Sequence, residues 1–174
     1  MKNIIFIIGS VSSGKSTIAK LIKGSVIIEI DDIYESNLGG KAFDQAYSSN
    51  NFQRICWNEF YNKIKANKVK NKSVVALTTG LNPKFKSLLK KLKKELPGEI
   101  YVIKLNSKKE NVVNRTRQRK GAQKRKVLAT LDTYKKLEEN NIKSDFVIEN
   151  DQGLDNLQEK VSNILNLLKS YSKK

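Results

Sequence analysis

The sequence predicts an α/β fold in which a parallel sheet is covered by helices on both faces. Short apolar runs alternate along the chain with longer stretches of helical periodicity, a pattern typical of parallel strands connected by helices. The 174 residues contain no internal repeat and no low-complexity linker. We therefore expect one domain, residues 1–174, that is long enough to bury a core.

Five apolar runs are predicted strands, and six helical stretches are predicted helices. The predicted strands are Asn3–Ile8, Ser25–Ile30, Ser73–Leu77, Glu99–Leu105 and Asp145–Glu149. The predicted helices are Lys15–Lys23, Phe52–Asn67, Pro83–Leu96, Lys109–Gln118, Gln123–Asn140 and Leu154–Lys169. Because ligands of such sheets collect at the carboxyl ends of the strands, a functional site is expected at that edge.

The composition excludes some kinds of site and points to anionic partners. The chain has 34 Lys and Arg against 17 Asp and Glu, a net charge of +17, and no histidine. The absence of histidine excludes a Cys–His pair and argues against zinc, and Cys56 is expected to be a buried thiol. The charge either serves nucleic-acid binding or reflects a lysine-rich composition, and the sequence leaves both open.

The sequence shows no membrane or export signal. The longest apolar run, Ile4–Ile8, is too short to cross a bilayer, and the N-terminus lacks the pattern of a signal peptide. A cytoplasmic protein is therefore expected.

A phosphate-binding loop follows the first predicted strand. Residues 9–16 match G-x-x-x-x-G-K-[ST] without a mismatch, between an apolar strand and an amphipathic helix. In this motif backbone N–H groups surround the phosphates, Lys15 reaches the β- and γ-phosphates, and the Ser16 hydroxyl binds Mg²⁺. The predicted nucleotide-binding residues are Gly9, Ser10, Val11, Ser12, Ser13, Gly14, Lys15, Ser16 and Thr17.

The sequence lacks the signature motifs of two classes of nucleotide-binding protein. A GTP-binding switch needs N-K-x-D, and the nearest segment, Asn71-Lys72-Ser73-Val74, has no aspartate. A hydrolytic motor usually has a strand that ends in a carboxylate, whereas the candidate strand ends Leu77-Thr78-Thr79. Both absences argue against these classes.

Two acidic residues follow the second predicted strand. A kinase needs a base near the γ-phosphate to engage the acceptor hydroxyl, and Asp31 and Asp32 stand at that strand's tip. One carboxylate could face the cleft while the other caps the next turn, or both could be solvated turn residues. Asp32 is also a candidate Mg²⁺ ligand that would replace the carboxylate absent at Thr78.

A basic segment, residues 114–126, contains no acidic residue. Arg115 and Arg119 lie four residues apart and share a helix face, and Gly121 permits a break after them. We predict a cationic lid at about residues 115–126 that closes over the transferring phosphoryl group. A solvated basic face or a patch for RNA or DNA are the alternatives.

Together these segments resemble small P-loop kinases, and especially the kinase domain of bacteriophage-type 5′-polynucleotide kinase. The matching segments are the phosphate loop, Asp31-Asp32 in place of D-D-Y, the turn Leu81-Asn82-Pro83, and Arg115 with Arg119. The resemblance implies ATP and Mg²⁺ as cofactors and a five-stranded sheet of order 2-3-1-4-5. It further implies that Asp31 is the general base and that Arg119 stabilises the transferring group, with Arg115 and Arg117 assisting.

The expected function is therefore transfer of the γ-phosphate of ATP to an acceptor hydroxyl, foremost a polynucleotide 5′ end. The alternatives are a kinase of a small nucleoside, nucleotide or metabolite, and a nucleic-acid-binding protein for which ATP is only a ligand. Thr78 and the lack of arginine after Tyr34 depart from the phage pattern and favour a small acceptor.

An acceptor lobe is predicted at about residues 35–67, comprising the loop Glu35–Asn51 and a helix with Trp57 and Tyr61. These two aromatic residues either stack on a base or belong to the core. Asn150 and Asp151 are candidates near the adenine.

Overall fold

A computed structural model describes residues 3–39, 47–118, 124–139 and 142–171, which form a parallel five-stranded sheet with helices on both faces. The strands are β1 Ile4–Gly9, β2 Ser25–Glu29, β3 Ser73–Thr78, β4 Ile100–Asn106 and β5 Phe146–Glu149. Their order is β2-β3-β1-β4-β5, and every neighbouring pair is parallel. The α/β fold class and the expected strand order are confirmed.

Seven helices connect and cover the strands in the described part of the chain. They are α1 Lys15–Leu21, α2 Ile30–Asn37, α3 Asn50–Val69, α4 Pro83–Glu95, α5 Lys109–Gln118, α6 Lys124–Glu139 and α7 Leu154–Tyr171. Helices α1 and α7 pack on one face of the sheet, and α2, α3, α4 and the end of α6 pack on the other. None of the described helices has the length and apolarity needed to cross a lipid bilayer.

The central strand β1 explains why the sheet is covered on both sides. All six of its residues are buried, and consecutive side chains point to opposite faces. Ile4, Phe6 and Ile8 join one hydrophobic cluster, while Ile5 and Ile7 join the other. Each such side chain contributes about 1.5–3 kcal/mol through burial, which is why parallel strands are apolar throughout.

Helix α4 begins where its sequence predicts. Asn82 caps the helix, its side-chain oxygen accepting a 2.9 Å hydrogen bond from the backbone N–H of Lys84. Pro83 occupies the first turn, where its missing N–H costs nothing. Phe85, Leu88 and Leu92 are buried against the sheet, so the lysines of α4 face outward.

Helix α2 was not predicted from the sequence. The second strand was expected to continue to Ile30, but it ends at Glu29, and Ile30 begins the helix. Ile30, Ile33 and Tyr34 are buried at helical spacing, and this periodicity was the available signal. The predicted loop Glu35–Asn51 is correspondingly shorter, and residues 40–46 of it lie outside the described residues.

The aromatic residues of α3 belong to the core. Trp57 is 5% exposed and Tyr61 is 7% exposed. The indole N–H of Trp57 donates a 2.8 Å hydrogen bond to the hydroxyl of Tyr34, and the Tyr61 hydroxyl bonds to Glu95. The core alternative is thus the right one for this pair, and Cys56 is a fully buried free thiol, as predicted.

Candidate active site

The phosphate-binding loop connects the end of β1 to the start of α1 and depends on two glycines. Gly14 has a φ of 103°, and a Cβ there would lie 2.5 Å from Nδ2 of Asn150. A Cβ on Gly9 would lie 2.7 Å from the backbone oxygen of Leu105. Side chains are therefore excluded at both positions of the motif that require glycine.

Lys15 brings a positive charge to this loop at the N-terminus of α1. Its side chain is buried, and Nζ donates to the backbone oxygens of Gly9 and Ser10 at 3.1 and 2.9 Å. The first N–H groups of a helix have no intrahelical acceptor, and the helix dipole is positive at this end. The loop therefore combines three features that favour a bound anion.

A carboxylate that was not predicted lies against the start of α1. The hydroxyl of Ser16 donates to Glu29, with both carboxylate oxygens at 3.3 Å. Burial raises the pKa of Glu29, and the neighbouring charges of Asp31 and Asp32 raise it further. The signal in the sequence was a charged residue between the apolar residues Ile28 and Ile30, at the end of a strand.

The predicted base Asp31 is close to the loop. Asp31 lies in the first turn of α2 and, with Lys15, Ser16 and Glu29, lines a cavity of about 80 Å³. Asp32 follows it in the same turn and is exposed, and it is not among the described residues that line this cavity. The structure thus brings Glu29 and Asp31 to the phosphate loop, and the metal-binding role of Asp32 stays a prediction.

This donor set suits Mg²⁺. The hydroxyl of Ser16 and the carboxylates of Glu29 and Asp31 supply hard oxygen atoms. Among the described residues, no three Asp, Glu, His or Cys side chains converge as a self-sufficient metal cluster. Mg²⁺ in nucleotide sites needs only one or two carboxylates because phosphate oxygens and water complete its shell, so the residues fit the ion.

At this edge of the sheet β3 ends with Thr78, which has no carboxylate. Its side chain is buried, and its hydroxyl accepts a 3.3 Å hydrogen bond from the N–H of Gly80. In the sheet, Thr78 is level with Ile8, and Glu29 is level with Leu77. The strand-end carboxylate that lines the phosphate cavity is Glu29 on β2, which lies one strand further from β1 than β3 does.

The backbone oxygen of Ser13 accepts three hydrogen bonds, which together form a brace between the phosphate-binding loop and the segments beside it. The donors are Nδ2 of Asn150 at 2.7 Å, the Ser107 hydroxyl at 3.2 Å and Nη1 of Arg115 at 3.3 Å. Nη2 of Arg115 also donates to the backbone oxygen of Asn150 at 3.0 Å. One loop atom thus joins the ends of β4 and β5 to α5. Sequence patterns do not show such a contact.

These contacts change the expectation for Arg115. It was predicted to act on the transferring phosphoryl group, but its guanidinium contacts the backbone of Ser13 and Asn150. The next residue, Thr116, donates a 2.9 Å hydrogen bond to the hydroxyl of Ser12. The end of α5 therefore supports the loop, and a catalytic role for Arg115 stays a prediction.

The rest of the predicted lid is only partly described. Arg119 and Gly121 lie outside the described residues, so the predicted role of Arg119 is not tested. Arg117 is exposed on a different side of α5, where it lines a depression with Glu110 and Val113. The described part of the lid region consists of the end of α5 and the start of α6.

A larger cavity of about 450 Å³ adjoins the loop on the side of α7. It is lined by Ser12, Gly14, Thr17, Arg115, Gln118, Asn150, Gly153, Leu154 and Leu157. Asn150, predicted near the adenine, is in this set. Asp151 is not in this set, and its carboxylate accepts from the N–H of Lys108 and from Nδ2 of Asn111, at the start of α5.

Comparisons with solved structures identify the fold, whereas no protein-family model and no curated protein matches the chain. A sugar kinase from Janibacter sp. aligns with a TM-score of 0.67 and 17% identity, over 95% of each chain. Shikimate kinase from Acinetobacter baumannii in complex with shikimate aligns with a TM-score of 0.65 and 20% identity, over 100% of this chain and 96% of that chain. A gluconokinase from Sinorhizobium meliloti aligns with a TM-score of 0.63 and 15% identity, over 98% of this chain and 97% of that chain.

The chain therefore has the fold of the small P-loop kinases. The match extends over nearly the whole length of all three structures and includes the strand order around the loop. None of the three is a polynucleotide kinase, so they support the wider resemblance to small P-loop kinases and not its narrower form.

Proposed function

We propose that this protein is an ATP- and Mg²⁺-dependent phosphotransferase that acts on a hydroxyl group of a small-molecule acceptor. The observation that carries the proposal is the cavity in which Lys15, Ser16, Glu29 and Asp31 meet. A cation, an oxygen pair for Mg²⁺ and an exposed carboxylate around one cavity are the parts that phosphoryl transfer requires.

Each residue of this cavity has a role in the proposed reaction. Lys15 neutralises charge on the β- and γ-phosphates, and Ser16 with Glu29 would hold Mg²⁺, which polarises the phosphate oxygens. Asp31 accepts the proton of the acceptor hydroxyl as the oxygen of that group attacks the γ-phosphorus. A new P–O bond forms to the acceptor, the bond to the β-phosphate oxygen breaks, and ADP leaves with that electron pair.

The neighbouring cavity of about 450 Å³ is suited to the nucleoside of ATP. It shares Ser12, Gly14 and Thr17 with the phosphate cavity, so a nucleotide can reach from one to the other. Leu154 and Leu157 offer apolar contacts to a base, and Arg115 and Asn150 also line this cavity. This arrangement supports the predicted place of Asn150 near the adenine.

The small-molecule acceptor is inferred from the compared structures. Their names refer to a sugar, gluconate and shikimate, which are hydroxyl-bearing small molecules. In this chain, α2 and the N-terminus of α3 begin at the same sheet edge as the phosphate cavity, so the predicted acceptor lobe is suitably placed.

A polynucleotide 5′ end is the second candidate acceptor. It is favoured by the net charge of +17 and by the segments Asp31-Asp32 and Leu81-Asn82-Pro83. A third possibility is binding of nucleic acid without transfer, which predicts that no acceptor stimulates turnover of ATP.

The rate of ADP formation, measured with a panel of acceptors, tests these proposals. The panel contains sugars, sugar acids, nucleosides, nucleoside monophosphates and a 5′-hydroxyl oligonucleotide. We expect at least one small molecule to accelerate ADP formation above the acceptor-free rate. Acceleration by the oligonucleotide alone supports the second candidate, and no acceleration by any acceptor contradicts the kinase proposal.

Replacing Glu29 with glutamine should separate stability from activity. We expect the variant to need about tenfold or more Mg²⁺ for half-maximal rate, because a metal-binding carboxylate is lost. Without ligands its Tm should be higher than that of the wild type near neutral pH, where the charge of Glu29 is partly buried beside Asp31 and Asp32. Glu35→Gln, at an exposed residue of α2, is the control.

The pH dependence of that stability difference follows from the raised pKa of Glu29. The folded protein holds this proton more tightly than the unfolded chain, so wild-type stability falls as pH rises through the folded pKa. The Tm difference between Glu29→Gln and wild type should therefore be full above that pKa and vanish in acid. A difference that grows as pH falls would contradict this placement of Glu29.

Replacing Asn150 with alanine should weaken the attachment of the phosphate-binding loop to the end of β5. The change removes the 2.7 Å hydrogen bond to the oxygen of Ser13, and a buried hydrogen bond contributes about 0.5–1.5 kcal/mol. We expect ATP affinity to fall about 3- to 10-fold in an equilibrium titration, within that energy range. Asn163→Ala, at an exposed residue of α7, should change nothing, and equal effects of both variants would refute the brace.

A further inference from the structure

The positive charge of the chain lies mostly in two segments, residues 54–95 and residues 104–126, and the first of these is described over its whole length. Residues 54–95 contain twelve of the 34 Lys and Arg residues but only two of the 17 Asp and Glu residues. About a quarter of the chain thus carries more than half of the net charge of +17. A compositional excess of lysine would spread over all surfaces, so this concentration calls for a structural explanation.

The cations of residues 54–95 lie on α3, just after it and on α4, two helices that cover the same face of the sheet, and together they form the α3–α4 surface. Lys86, Lys90, Lys93 and Lys94 are exposed along α4, and the lysines from 84 to 94 extend over about 15 Å of helix. No ion pair between described residues includes a lysine of α4.

Both acidic residues of the segment are already engaged. Glu59 forms an ion pair with Lys63 at 2.9 Å and accepts a hydrogen bond from Asn37. Glu95 contacts Lys65 at 3.3 Å and accepts a hydrogen bond from Tyr61. Within the described part of the chain, most cations of this surface therefore have no acidic partner, which is unfavourable until an anion binds.

A groove of about 270 Å³ runs between α3 and α4 within this surface. Arg54, Lys84 and Lys91 line it, and the largely buried rings of Trp57 and Tyr61 form its apolar floor. The Nζ atom of Lys91 lies 3.8 Å from the ring centroid of Tyr61, so its charge rests on an aromatic ring. Three cations above an apolar floor suit a phosphate group attached to a less polar body.

We propose that the α3–α4 surface binds the phosphodiester backbone of a single-stranded nucleic acid. One small anion would occupy the groove alone, whereas the row of lysines continues along α4 beyond it and requires a polyanion. A single strand can place a nucleotide in the groove while adjacent phosphates follow the lysines, as in other sequence-independent single-strand sites. A rigid duplex would offer only its outer phosphates.

An anionic membrane is a poorer fit to the same charges. Membrane-surface helices place apolar residues on the side opposite their cations, exposed for insertion. Here Phe85, Leu88 and Leu92 are buried in the core, so α4 has no such apolar side. The nucleic-acid surface contains none of the residues assigned to phosphoryl transfer and does not rest on the proposed kinase activity.

The N-terminal ends of α3 and α4 nevertheless lie toward the edge of the sheet that holds the phosphate cavity. Gln53 accepts a 3.0 Å hydrogen bond from Asn82 at the N-terminal ends of α3 and α4. Helix α4 begins just after the carboxyl end of β3, and Arg54 and Lys84 lie at this end of the groove. A strand bound here could reach the active-site edge, which is relevant if a nucleic acid end is the acceptor.

Fluorescence anisotropy with a labelled single-stranded oligonucleotide of about 20 nucleotides, without ATP and over a series of salt concentrations, tests the surface. The test variant is Lys84/Lys91/Lys94→Gln. The matched control is Lys20/Lys23/Lys169→Gln, which also removes three positive charges. These lysines lie in α1, just after α1 and in α7, and both helices cover the opposite face of the sheet. Thermal melts of both variants check folding.

The wild type should bind with a strong salt dependence, and the control should stay within about twofold of it. The test variant should bind at least about tenfold more weakly. The slope of its log affinity against log salt concentration should be smaller by about 2, because each of the three lost phosphate contacts accounts for about 0.7. If the test variant melts early, Lys86/Lys90/Lys93→Gln, limited to exposed lysines of α4, should show the same loss.

Three results would overturn the proposal. Equal weakening of test and control variants would show that net charge alone attracts the strand. Absence of wild-type binding to the oligonucleotide would exclude the site, and binding to phosphatidylserine vesicles without oligonucleotide binding would assign the surface to a membrane. Because ATP is absent, none of these results bears on whether the protein is a kinase.

Discussion

Asp31→Asn should lower the rate of phosphoryl transfer about 10²- to 10⁴-fold while ATP affinity stays nearly unchanged. The carboxylate lines the phosphate cavity and is exposed, so it can meet an acceptor hydroxyl. Asparagine keeps the size of the side chain but cannot take a proton. Single-turnover rates and an equilibrium titration with ATP separate the two quantities.

Asp32→Asn is the matched control for this prediction. It removes the same charge from the same turn of α2, at a residue that does not line the cavity. We expect a change of less than about threefold, because only remote charge is altered. If Asp32→Asn also raised the Mg²⁺ requirement strongly, the original prediction of Asp32 as a metal ligand would be right and the place given to Glu29 would need revision.

Lys15→Ala should remove both ATP binding and transfer, with a loss in rate on the order of 10²- to 10³-fold. The side chain is the only cation lining the small phosphate cavity among the described residues. Its Nζ also holds the backbone oxygens of Gly9 and Ser10, so alanine loosens the loop as well as removing charge. The variant should show no increase in Tm with Mg²⁺ and ATP, whereas the wild type should show one.

Lys20→Ala is the control for Lys15. This lysine is exposed in the last turn of the same short helix and does not line the phosphate cavity. Its Tm increase with Mg²⁺ and ATP should match that of the wild type. A normal increase in Lys15→Ala would mean that the triphosphate binds elsewhere.

The fold was largely predictable because its signals are local. The apolar run of β1 and the periodicity of α3, α4 and α7 each identify an element within a few neighbouring residues, and all five predicted strands are within one residue of the observed bounds. Helix α2 was missed because Asp31-Asp32 reads as a turn, whereas the burial of Ile33 against other elements stabilises a helix.

The candidate site was predictable only where the motif is continuous in sequence. The phosphate loop and Asp31 follow directly from residues after β1 and β2. Glu29 depends on the position of β2 relative to α1, which no short motif records. The brace on Ser13 joins Ser107, Arg115 and Asn150, residues from three separated segments, so only the assembled fold reveals it.

The most direct test of the central proposal uses ATP that carries a label in its γ-phosphate, together with the acceptor panel. The product that receives the label is identified for the wild type, Asp31→Asn and Asp32→Asn. We predict a labelled small-molecule phosphate with the wild type and Asp32→Asn, and almost none with Asp31→Asn. Label that appears only as inorganic phosphate, at the same rate in all three proteins, would contradict a phosphotransferase built around Asp31.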